Sequence, residues 1–238
     1  EYRHQRPEHE WKRRFDLMII VGSAVPAFLW GVAFANIVQG VPLDADHNYT
    51  GNLLTLLNPY GLLGGLTTLL LFFTHGATFV ALKTDGVLRR DAQKLAAKAG
   101  ILTIIVAAAF LVWTVLAHFS IPVLLLAALA ALLLIGSVLS NLRGREGIAF
   151  TFGAATVAAA VATLFTALFP AVLPSTTDPA FSLTVANASS SQYTLEIMSW
   201  TALIFMPLIL LYQAWTYWVF RKRVRRAAIE AVTEPVAA

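Results

Sequence analysis

Only a handful of side chains here can do chemistry in an apolar setting, and their spacing limits what that chemistry is. His75 lies in an apolar run about 8 residues before Lys83, or roughly 12 Å along a helix at its usual rise. A histidine so placed can ligate a haem, carry a proton or hydrogen-bond a neighbouring helix, the last being its ordinary role. His118 stands at the far end of the next apolar run and reads as an interfacial histidine. The two fall near opposite faces of a bilayer, so they cannot hold one haem between them. Asp16 follows Lys12, Arg13 and Arg14, where it can collect protons or close a salt bridge at a helix end. Glu196 follows Gln192 and Tyr193 at the start of the last apolar run, a first-turn position that suits an acid beside the helix dipole. Asn36, Gln39 and Gln213 can hydrogen-bond across helices or line a polar route.

Other chemistries find no residues. There are no cysteines, which excludes disulfides, thiolate metal sites and iron–sulfur ligation within this chain. No HxxxH or HExxH spacing, nucleotide-binding loop or nucleophile elbow is present. Pro26 and Pro207 sit inside apolar runs and each frees a backbone carbonyl. Such broken helices can mark the binding site of a small-solute or ion transporter. That alternative reading lacks an internal repeat and has few buried charges to couple an ion.

The elements that must position these residues are membrane spans. Hydrophobic residues make up 58% of the 238 and charged ones 13%, too few to cover a soluble domain. A bilayer core of roughly 30 Å takes about 20 apolar residues per helix. Six windows meet that length: 15–39, 59–82, 97–119, 122–142, 148–169 and 195–220. The first is too long for a cleavable signal peptide, and a chain starting at Glu1 rather than Met reads as a fragment of a longer subunit. The third and fourth windows are so close that they predict an antiparallel hairpin, with Pro122 in the first turn of its second helix. Asn58-Pro59 reads as an N-cap followed by proline at the first helical position, and Gly144 as the stop of the fourth helix. Small residues recur in the second span (Gly61, Gly64, Gly65, Gly76) and the fifth (Gly153, Ala154, Ala155), where they allow close helix packing. The third and fourth spans, nearly pure Leu, Ala, Ile and Val, are expected to face lipid.

Charge sets the orientation. All 17 Lys and Arg residues fall on one side of the spans, in 3–14, 83–98, 143–145 and 221–226. The intervals 40–58 and 174–193 on the other side carry only Asp44, Asp46 and Asp178. Because basic residues resist transfer, this bias puts both chain ends in the cytoplasm. The net charge of +4 belongs beside anionic headgroups and is no nucleic-acid signature. The fold class is all-α integral membrane, a polytopic bundle of six transmembrane helices. A basic segment (1–14) precedes the transmembrane domain (15–220), and a basic tail (221–238) follows it.

Three stretches together resemble subunit II of the cytochrome bd quinol oxidases. The first is Gly31-Val32-Ala33-Phe34-Ala35-Asn36-Ile37-Val38-Gln39-Gly40-Val41-Pro42. The second includes Tyr49-Thr50-Gly51-Asn52, Leu56-Leu57-Asn58-Pro59-Tyr60-Gly61-Leu62-Leu63-Gly64-Gly65 and Lys83-Thr84-Asp85-Gly86. The third joins Ser189-Ser190-Ser191-Gln192-Tyr193-Thr194-Leu195 to Tyr212-Gln213-Ala214-Trp215-Thr216-Tyr217-Trp218. The resemblance implies a haem-free subunit in a bacterial cytoplasmic membrane, paired with a subunit I that holds two b-type haems and one d-type haem. It further implies that quinol and oxygen are substrates of the whole complex, with water formed and a proton gradient built without pumping. Small accessory membrane subunits and a bound quinone or lipid are compatible with it. Family members carry further helices ahead of the point matching Glu1, including an acidic Trp-Asp-Gly region, and this chain reads as lacking them. Asp16 best matches a recurring family carboxylate and ranks first among proton-path candidates, with His75 and Glu196 after it. The first, second and last spans are expected to meet subunit I.

Overall fold

Six helices among the described residues are long and apolar enough to cross a membrane. In hydrocarbon a chain must satisfy its own backbone hydrogen bonds, and the helix does so within one segment. The computed structural model describes residues 8–224, so the parts of the two basic segments at 1–7 and 225–238 lie outside the described residues. The long helices are α1 (His9–Gln39), α2 (Pro59–Lys83), α3 (Gly86–Ala117), α4 (Ile121–Leu142) and α5 (Glu146–Leu168). Two short strands, β1 (Ala171–Leu173) and β2 (Leu183–Thr184), pair antiparallel before a single turn, α6 (Val185–Ala188), and the last long helix, α7 (Gln192–Val219).

Local chemistry sets the helix ends. The Asn58 side chain accepts from the Gly61 N–H at 2.8 Å, and Pro59 takes the position where its missing donor costs nothing. Ser120 caps α4 and leaves a tight turn after Ala117, so α3 and α4 form the expected hairpin. Gly144, at φ 70°, sits in the left-handed turn that separates α4 from α5. The start of α3 differs from the sequence reading. It begins at Gly86 rather than near residue 97, with the Asp85 carboxylate capping Gly86, so the basic run 89–98 is a helical extension of the span. Likewise α1 begins at His9, within the stretch read as a basic flank.

Helix α2 is central, packing against α1, α3 and α5, while α4 packs against α3 and α5. The α1–α2 crossing is close because Gly31 and Gly64 face each other. A Cβ on Gly64 would stand 2.6 Å from the Ala35 Cβ and 2.9 Å from the Gly31 carbonyl oxygen. At the acidic end, Gly40 (φ 91°) turns the chain so that Val41 donates to the Pro174 carbonyl at 3.0 Å and accepts from Thr176 at 3.0 Å. That locks the 40–58 loop to the segment after α5.

The third and fourth spans, expected to face lipid, keep exposed apolar faces that include Ile101, Ile105, Leu125 and Leu132, and each also buries a stripe within the bundle. In α4, 33% of the most apolar stretch is buried, against 11% in α1 and none in α7. Helix α4 packs through Val123, Ala127, Ala130, Leu134, Ser137, Val138 and Asn141, one stripe at helical spacing. Helix α7 packs along none of the other long helices, and its apolar side chains are exposed around its whole circumference.

Candidate functional site

Polar groups inside the bundle come in two layers. Near the acidic end, Asn36 of α1 ties the loop to the helices. Its Nδ2 donates to the Val32 and Leu56 carbonyls at 2.8 Å each, and its Oδ1 accepts from Asn58 Nδ2 at 2.8 Å. Deeper in, Tyr60 and Thr114 share a hydrogen bond of 2.8 Å, and so do Thr74 and Thr103. These pairs join α2 to α3 and satisfy hydroxyls that would be costly alone in an apolar core. Of the two roles its sequence position left open, Asn36 takes the hydrogen-bonding one, joining α1 to the loop and to the N-cap of α2.

At the basic end the chain builds its most charged site around Glu146, the first residue of α5 and 3% exposed. The extended α3 brings Arg89 and Gln93 within reach of this carboxylate. Arg89 Nε and Gln93 Nε2 each donate to Glu146 Oε1 at 2.6 Å, and Arg223 Nη2 approaches Oε2 at 3.4 Å. Asn141 Nδ2 in turn donates to the Gln93 carbonyl at 3.0 Å. A buried carboxylate needs such partners, because without them its desolvation would cost several kcal/mol, as a rough scale. Sequence reasoning missed this site. Glu146 follows Arg143 and Arg145 and opens a helix, a position that favours an acid through the dipole alone and so carries no signal of a buried site.

The three proton-path candidates lie on three helices and are not assembled into one site. Asp16 is half-buried in the second turn of α1 and has an interaction partner of its own. His75 lies on α2 and faces α5. Its ring stacks on Phe150 with centroids 4.5 Å apart, and its buried Nδ1 makes no protein hydrogen bond. A Cβ on Gly153 would stand 2.6 Å from that nitrogen and 3.4 Å from Ser137 Oγ, so the missing side chain makes room for the ring. Glu196 is exposed near the start of α7 and accepts from Gln192 Nε2 at 3.3 Å. His118 is the C-cap of α3. Among the described residues no group of three or more His, Cys, Asp or Glu could hold a metal ion.

Between α1 and α5 lies an apolar cavity of about 460 Å³, lined by Trp30, Phe34, Thr68, Leu71, Phe110 and Phe165 among others. A second, of about 440 Å³, adjoins it toward the acidic end and shares Phe34, Leu164 and Phe165.

Six spans, a basic end, two interlocked loops and a short helical hairpin leave many membrane proteins possible, and sequence comparison decides among them. The family model of cytochrome bd terminal oxidase subunit II matches residues 1–220. The chain belongs to that family. The cytochrome bd-I ubiquinol oxidase subunit 2 of Escherichia coli K12 is 34% identical over 271 aligned positions, covering 98% of this chain and 72% of that protein. The cytochrome bd ubiquinol oxidase subunit 2 of Bacillus subtilis 168 is 34% identical, with 94% of this chain and 68% of that protein covered. A probable cytochrome oxidase subunit 2 of Haemophilus influenzae is 31% identical, with 91% and 67% covered. As a subunit II, the chain is a multi-pass membrane protein of a respiratory oxidase family, in keeping with its six apolar helices.

Proposed function

We propose that this chain is the haem-free membrane subunit of a bd-type quinol:oxygen oxidoreductase and that it stabilises a haem-bearing subunit I. The family match across 1–220 carries this reading. The relatives in Escherichia coli and Bacillus subtilis are named as ubiquinol oxidase subunits, which supports a quinol as electron donor to the complex. Two b-type haems and one d-type haem then belong to subunit I, where oxygen is reduced to water. The basic end faces the cytoplasm, since Lys and Arg resist transfer across a bacterial inner membrane. In that frame 1–14 and 221–238 are cytoplasmic and flank the membrane domain 15–220. The paired cavities between α1 and α5 have the size and apolar lining to take the chain of a quinone or lipid.

Deleting this chain is expected to abolish quinol-driven oxygen uptake in membranes that otherwise carry subunit I, and re-expression is expected to restore it. Uptake at the original rate without the chain would remove the proposal. Within the complex Asp16 is the first proton-path candidate, at the cytoplasmic end of α1, with His75 second. Glu196 lies at the opposite face. The Asp16→Asn complex is expected to lose oxygen uptake and proton uptake several-fold while its haem content per protein stays constant. Undiminished turnover would take Asp16 out of the path.

A further inference from the structure

Helix α7 presents a difficulty of position. It is 28 residues long, yet it packs along no other long helix and none of its residues is buried. Dispersion and small-residue packing, which hold helices together in lipid, therefore do little to place it within this chain. Its basic end is nonetheless fastened. Lys83 Nζ, at the end of α2, donates to the Phe220 carbonyl at 2.7 Å, and Val224 N–H donates to the Lys83 carbonyl at 2.8 Å. Arg223 Nη1 donates to the Thr84 carbonyl at 3.3 Å, while Nη2 of the same guanidinium reaches Glu146 at 3.4 Å.

The Glu146 carboxylate is the common member of this arrangement. One oxygen is held by Arg89 and Gln93 from α3, and the other is left for Arg223 from the segment after α7. The planar guanidinium suits this task, because its fork can meet a carbonyl and a carboxylate together in a fixed geometry. We propose that Glu146 and Arg223 form a clasp that positions the basic end of α7 against α2, α3 and α5. Glu146 acts through Arg223 as a positioning residue. The inference stands on these contacts alone and does not depend on the oxidase reading.

The absence of cysteine from this chain makes the clasp accessible to spin labels. One pair, Val87→Cys with Val219→Cys, spans α3 and α7, and a control pair, Val87→Cys with Leu142→Cys, spans α3 and α4. All three positions are exposed and take no part in the clasp. Pulsed dipolar distances would be measured on the full chain in its native membrane assembly, with the unsubstituted preparation as the labelling blank. Arg223→Ala and Glu146→Gln are each expected to broaden the α3–α7 distance distribution and shift it to longer values. In Arg223→Ala the α3–α4 pair should be unchanged. Arg223→Lys should restore a narrower α3–α7 distribution, since an ammonium still reaches one of the two acceptors. An unchanged α3–α7 distribution in both variants would overturn the proposal, as packing from elsewhere would then be placing α7. Equal broadening of both pairs in Arg223→Ala would overturn it too, because the guanidinium would be holding the whole bundle.

Discussion

Arg89→Ala is expected to destabilise the protein markedly, because it removes the main charge partner of a buried carboxylate. Its partner should matter less. Glu146 is almost wholly buried, with its side chain 4% exposed, whereas the Arg89 and Arg223 side chains are 33% and 31% exposed. Removing the arginine leaves an anion inside the bundle with Gln93 and a longer contact to Arg223. Removing the acid leaves two cations that can turn toward water, so Glu146→Ala should cost about 1–3 kcal/mol. The double variant should cost less than the two single effects added, since neither charge is then stranded. Thermal unfolding midpoints of the full chain in mild detergent would rank wild type above Glu146→Ala and Glu146→Ala above Arg89→Ala. An equal loss in both single variants would show that Glu146 is no more buried in solution than its partners.

A second large effect is expected where α1 crosses α2. An added methyl at Gly64 would meet the Ala35 Cβ at 2.6 Å and the Gly31 carbonyl oxygen at 2.9 Å, neither of which can swing aside. Gly64→Ala should therefore force the helices apart and cost about 1–3 kcal/mol, as other overpacked sites do. Gly64→Val should cost more. Gly76, on the same helix, has nothing within 4 Å of its would-be Cβ. Gly76→Ala should be neutral or stabilising by about 0.5–1 kcal/mol, because it removes glycine's excess backbone entropy. Heat resistance of the folded fraction, followed by size-exclusion chromatography, separates the two. A Gly64→Ala protein as stable as Gly76→Ala would mean that the close crossing does not exist.

The two sites differ in how far they could be read from the sequence. Gly64 lies among the small residues of the second span, which signal close approach between apolar helices, although its partner Gly31 between Trp30 and Val32 was not singled out. Asn58-Pro59 and the α3–α4 turn were equally legible, because caps and tight connections are set by a few adjacent residues. The Glu146 cluster was not. Its partners Arg89 and Arg223 lie 57 and 77 residues away, and only the helical extension of α3 brings Arg89 to it. Among 17 basic residues at one end, nothing in the spacing singles out these two. The buried stripe of α4 went unread for a related reason. Lipid and a neighbouring helix are both apolar, so Leu, Ala and Val content does not distinguish them, although the stripe from Val123 to Asn141 carried the information. The isolation of α7 has no sequence signal at all, since its apolar residues surround the helix evenly.

If this chain serves a bd-type oxidase as proposed, a haem-bearing polypeptide should purify with it. The most direct measurement is a reduced-minus-oxidised absorption spectrum of the material that purifies with this chain from native membranes in mild detergent. Bands of b-type and d-type haem, carried by a second polypeptide, are expected together with quinol-dependent oxygen consumption. A colourless preparation containing this chain alone, obtained under conditions that keep other membrane complexes intact, would contradict the proposal.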